Sequence, residues 1–120
     1  MKSKNIVVTL IALAMGMSVA ACADDHSGVS RSKKVKELTA AERKQFCEWG
    51  TDTLGGAGTK KTCNGAETTV SPASECEASA PKNNCTVGVV EDCILSTDGD
   101  LCKLTTTKAC EAMLTCLLQP

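Results

Sequence analysis

Nine cysteines in 120 residues constrain this chain more than any other feature. They stand at positions 22, 47, 63, 76, 85, 93, 102, 110 and 116, and six of them crowd into residues 76–116. Residues 39–120 hold eight cysteines but only 13 Leu, Ile, Val and Phe. That apolar share, about 16%, is below the roughly 20% under which burial alone struggles to fold a chain, whereas the cysteine share, about 10%, marks a disulfide scaffold. The two facts belong together. A thin core offsets little chain entropy, and cross-links lower the entropy to be offset, by about 2–4 kcal/mol each.

The first residues read as a targeting segment. Lys2 and Lys4 precede an uncharged apolar run over residues 6–17, and residues 18–23 are small. That order is the layout of a secretory signal peptide, here assigned to residues 1–21. An uncleaved anchor is the competing reading, but the strongly apolar part is shorter than the ~20 residues a membrane span needs. Export to an oxidising compartment agrees with disulfide use.

Val19-Ala20-Ala21-Cys22 follows the apolar run directly. It resembles the lipobox of bacterial lipoproteins, whose cysteine is alkylated by a diacylglyceryl group before the peptidase cuts ahead of it. The resemblance implies lipidation of Cys22 and attachment to the bilayer. It also makes the cysteine count even, because lipid on Cys22 leaves eight thiols to pair. Ordinary cleavage nearby is the alternative. Residue 23 is Ala rather than the Asp that resembles an inner-membrane retention signal, so the implied destination is the outer membrane. Residues 22–38 follow as a lipidated, disordered tether. They are polar, with a basic run of Arg31, Lys33, Lys34 and Lys36 that would lie in solvent or rest on anionic headgroups.

Residues 39–120 read as one small, mainly α, disulfide-rich domain of about four short helices. Thr39-Ala40-Ala41-Glu42 is a capping box that opens a helix to about Thr53. Phe46 and Trp49 share one face of it and are expected in the core beside Cys47. Asn64-Gly65, between residues 59–63 and 66–70, predicts a small β-hairpin. Ser71-Pro72 opens a short helix to about Ala80, with Ser71 as cap and Pro72 in the first turn. Thr86 caps a helix through Leu95. A last helix covers residues 107–118, with Ala109, Met113, Cys116 and Leu117 inward and Cys110 and Leu114 flanking.

Cys47, Cys63, Cys76, Cys85, Cys93, Cys102, Cys110 and Cys116 are the expected disulfide set. Eight cysteines allow 105 pairings. Cys110 and Cys116 on one helix are about 9 Å apart in rise and cannot join each other. Each helix should therefore reach another element. Cys76–Cys85 and Cys102–Cys110 are plausible local loops, and the pairing stays open.

Several chemistries lack their parts. Zinc sites want ligand pairs two to four apart, and the closest cysteines here have five intervening residues, so no metal is expected. The sole histidine, His26, lies in the tether, which leaves Ser-His or Cys-His catalysis without a base. Glu75 and Glu77 diverge on a helix, and Glu91 and Asp92 are expected to be solvated. Asp98-Gly99-Asp100 reads as a turn, because the first position of a calcium loop would fall on Ile94. Residues 39–120 carry seven basic and 11 acidic side chains and one Phe, one Trp and no Tyr, which argues against nucleic acid as a partner. No cofactor is implied.

The Cys47-Glu48-Trp49 start and the C-terminal cysteine cadence resemble short cysteine-rich lipoproteins of Gram-negative bacteria. That resemblance implies no catalytic residues. The expected function is therefore that of a non-enzymatic, lipid-anchored cell-envelope protein that binds or scaffolds a protein partner. A secreted, disulfide-stapled effector, inhibitor or toxin-like module is the alternative. A carboxylate-dependent hydrolase is the third reading, and the sequence places no carboxylate in a cleft to support it.

Overall fold

A computed structural model describes residues 26–119. Cys22 and the targeting segment lie outside the described residues. Helix α1 spans Ala40–Thr53, β1 Lys60–Cys63, β2 Ala66–Thr69, α2 Ala73–Ser79, α3 Val87–Ser96 and α4 Lys108–Leu117. Short 3-10 turns occupy Val35–Glu37, Ala80–Lys82 and Leu101–Thr105. The expected class, small, mainly α and disulfide-rich with one hairpin, is the observed one.

Local signals set most of these boundaries. The Thr39 hydroxyl accepts the Glu42 amide at 3.2 Å, and Glu42 accepts the Thr39 amide at 3.0 Å, so the capping box closes. Thr86 and Thr107 cap α3 and α4 by accepting the amides of Val89 and Cys110, each at 3.3 Å. Asn64 (φ 52°) and Gly65 (φ 83°) form the left-handed two-residue turn that suits strand twist. Strands β1 and β2 pair antiparallel from Lys60↔Thr69 to Cys63↔Ala66. At α2 the boundary moves by one residue. Pro72 is the N-cap, in extended backbone, and the Ser71 hydroxyl caps nothing.

Four disulfides join elements distant in sequence. Cys47–Cys76 links α1 to α2, and Cys63–Cys102 links β1 to the turn Leu101–Thr105. Cys93–Cys110 ties α3 to α4 and Cys85–Cys116 ties the segment just before α3 to the end of α4, with Cα separations of 4.4 and 5.1 Å. The expected local loops Cys76–Cys85 and Cys102–Cys110 do not form. Antiparallel packing of α4 on α3 puts Cys110, near the start of one, against Cys93, near the end of the other. Each helix does reach another element, as the rise argument requires. The same packing corrects the α4 face: Cys110 is fully buried, whereas Leu117 and Leu114 are exposed.

The tether reading fails over residues 26–38. Val29, Val35 and Leu38 are buried in the main core with Phe46, Cys47, Ala80, Cys85, Val87 and Val90. Backbone bonding explains why this polar stretch docks. Helix α3 begins in the interior, where its first amides need acceptors. The Val87 amide donates to the Lys33 carbonyl at 2.8 Å and the Gly88 amide to the Arg31 carbonyl at 2.9 Å. Val35 and Lys36 amides donate in return to the carbonyls of Cys85 (2.9 Å) and Asn83 (3.1 Å). Gly88 makes the approach feasible, since a Cβ there would stand 3.2 Å from the Arg31 carbonyl oxygen.

Two outcomes follow in chemical denaturation. Leu38→Ala should cost about 2–5 kcal/mol, as for a core leucine, whereas a tether residue would change stability by less than about 0.5 kcal/mol. Replacing Cys93 and Cys110 together by Ala should cost about 2–5 kcal/mol relative to the oxidised protein.

Candidate functional site

Two features gather side chains that sequence reading left apart. The first is a buried carboxylate. Glu91, in the second turn of α3, is fully enclosed, although it was expected in solvent beside Asp92. Its Oε2 accepts the backbone amide of Ser27 at 2.8 Å and the Ser27 hydroxyl at 2.5 Å. Its Oε1 lies 3.4 Å from both His26 Nδ1 and Arg31 Nε. Arg31 also donates to Asp92 at 2.6 Å and to the Gly88 carbonyl at 3.1 Å. Gln45 of α1 donates to the Ser27 carbonyl at 2.7 Å.

This constellation contains Ser, His and Glu but not in relay order. The Ser27 hydroxyl is spent on one carboxylate oxygen, and the imidazole faces the other. A nucleophile and its base must bond each other and reach a substrate. Here the carboxylate between them is sealed. A buried carboxyl group needs polar partners, and the N-terminal segment supplies them: Ser27 hydrogen-bonds Oε2, and His26 and Arg31 stand at ion-pair distance from Oε1. The cluster is a clamp that fastens residues 26–31 to α3.

The second feature is an apolar cleft of about 260 Å³ between α1, β2, α3 and the turn Leu101–Thr105. Phe46, Leu54, Val70, Ile94, Leu101 and Leu104 line it, and Thr51, Thr68, Thr69 and Ser71 contribute hydroxyls. Cys47–Cys76 borders it, and no charged side chain is among its lining. Without an acid, a base or a free thiol, this lining can hold an apolar group but cannot transfer a proton to it.

The aromatic pair splits. Phe46 is buried and lines the cleft, while Trp49 is only half-buried, with its ring centroid 6.3 Å from that of Phe46. All eight cysteines of residues 39–120 are in disulfides. Among the described residues no cluster of three or more His, Cys, Asp or Glu is placed to hold a metal. Asp98 (φ 49°) and Gly99 (φ 79°) form the expected turn, and Asp100 caps the next one. Its hydrogen bond from Lys61, then that from the Cys102 amide, hold the Asp100 carboxyl below its ordinary range. At Glu42 the Thr39 amide, followed by Lys33, has the same effect.

Sequence reading missed the cleft because its walls come from four segments, none with a motif. It missed the clamp because Ser27, His26 and Arg31 sit in a stretch whose composition reads as solvated. No family model, no curated protein and no solved structure matches this chain.

If the cleft is a working cavity, Ile94→Trp should fill it. The fluorescence of an apolar probe such as anilinonaphthalene sulfonate bound to the folded protein should then fall several-fold, while the far-ultraviolet dichroism stays unchanged.

Proposed function

We propose that this chain is a lipid-anchored protein of the bacterial cell envelope, held in the outer membrane through acylated Cys22, that acts by binding a protein partner and not by catalysis. The observation that carries the reading is Val19-Ala20-Ala21-Cys22 directly behind a basic and then apolar start. Eight cysteines paired among themselves support it, because Cys22 is then the one thiol left for lipid. The binding half of the proposal draws on the uncharged cleft. A partner would present an apolar side chain to Phe46, Ile94 and Leu104, with its own polar groups on the threonine rim.

The deciding measurement is the intact, non-reduced mass of the protein extracted from its native membrane. The expected mass begins at Cys22, carries added acyl groups and lacks the eight hydrogens of four disulfides. A lipid-free chain cut elsewhere would overturn the anchor and favour a secreted, disulfide-stapled module. Thiols that keep their hydrogens would overturn the disulfide account itself.

A further inference from the structure

One end of the domain combines unpaired lysines with exposed leucines, and the N-terminal segment runs across it. Lys34 bridges to Thr86, and the Lys36 amide bonds the Asn83 carbonyl at 3.1 Å. Lys82 immediately precedes that residue. Asn84 donates to the Gln119 carbonyl at 2.7 Å, and Cys85–Cys116 fixes the end of α4 to the same place. Lys34, Lys36, Lys82, Leu117 and Leu118 therefore meet at one end, although they come from three separate stretches.

The chemistry of this end is not that of an ordinary solvated surface. Leu118 is 85% exposed and Leu117 is 41% exposed. Arg31 and Lys33 have carboxylate partners, but Lys34, Lys36 and Lys82 form no ion pair among the described residues. Glu37 is the carboxylate in their midst, and it accepts the Lys34 backbone amide at 3.3 Å. Exposed leucines on segments adjoining lysines that form no ion pair among the described residues suit the boundary between acyl chains and anionic headgroups, where leucine enters the apolar layer and lysine reaches back to phosphate.

Geometry brings that boundary close. The clamp on Glu91 fixes the chain from His26 onward. Only Ala23, Asp24 and Asp25 separate His26 from Cys22, and such a link spans at most about 14 Å. Along α3, Glu91 and Thr86 differ by about 7.5 Å of rise, so the lysine end is within reach of the surface that holds Cys22.

We propose that this end, built from Lys34, Lys36, Lys82, Leu117 and Leu118, is a bilayer-facing surface that binds anionic phospholipid headgroups and holds the domain down on its membrane. The proposal rests on the anchored reading given above. The test is lysine acetylation of the acylated, full mature protein, read residue by residue by mass spectrometry. Each lysine is compared with itself in vesicles of phosphatidylethanolamine and phosphatidylglycerol and in neutral detergent. The expected result is several-fold slower modification of Lys34, Lys36 and Lys82 on vesicles, with Lys60, Lys61 and Lys103 unchanged, and loss of that protection in Leu117→Ser/Leu118→Ser. Equal rates for all lysines, or protection of Lys60, Lys61 and Lys103 instead, would overturn the surface while leaving the anchor intact. If Cys22 proves to carry no lipid, the anchor fails. The surface then stands or falls on whether the unacylated protein floats with anionic vesicles and not with phosphatidylcholine vesicles.

Discussion

The amides at the start of α3 are the constraint on which the structure depends. Val87, Gly88, Cys85 and Glu91 are all buried, so α3 enters the core at its first turn. A helix start inside a protein is stable only if its amides find acceptors there. Thr86 serves one, and the carbonyls of Lys33 and Arg31 serve two more. The segment that brings those carbonyls also brings Val29, Val35 and Leu38, a third of the main core cluster. In a chain with so few large apolar residues, these three matter more than they would in a richer core.

The parts of the fold that depend on neighbouring residues were legible in the sequence. The Thr39–Glu42 box, the Asn64-Gly65 turn and the Thr86 cap each need only a few adjacent positions, and each formed. What depends on distant partners was not. Glu91 reads like Asp92 until Ser27 and Arg31 arrive from some 60 residues away to cover one and leave the other exposed. The basic run hid Val35 in the same manner, since its burial is decided by Cys85 and Asn83. The cleft had no sequence signature, because a concavity belongs to the packing of four elements and to none of them alone.

The observed clamp and cleft are compatible with the proposed anchor and bilayer-facing end. The clamp makes residues 26–38 part of the domain and not a loose spacer, which on the anchored reading proposed above would give the molecule a defined orientation. The apolar cleft is walled by the second half of α1, by β2, by α3 and by the turn Leu101–Thr105. None of these elements supplies a residue to the lysine-rich end. On the proposed reading, a partner would engage the cleft by shape and apolar burial without competing for the groups assigned to the bilayer.

The order of the cysteines has a consequence for how the molecule is made. None of the four native bridges joins neighbours in the series. Cys47 passes over Cys63 to reach Cys76, Cys63 reaches Cys102, Cys85 reaches Cys116, and Cys93 passes over Cys102 to reach Cys110. A chain that emerges N-terminus first presents Cys47 and Cys63 to an oxidant before either native partner exists. Oxidation in order of appearance would join the wrong sulfurs at every step. Maturation then depends on thiolate exchange that reopens such bridges, or on thiols kept reduced until Cys116 has emerged. The compartment that finishes this protein must either rearrange disulfides as well as form them or delay oxidation until the whole chain is present.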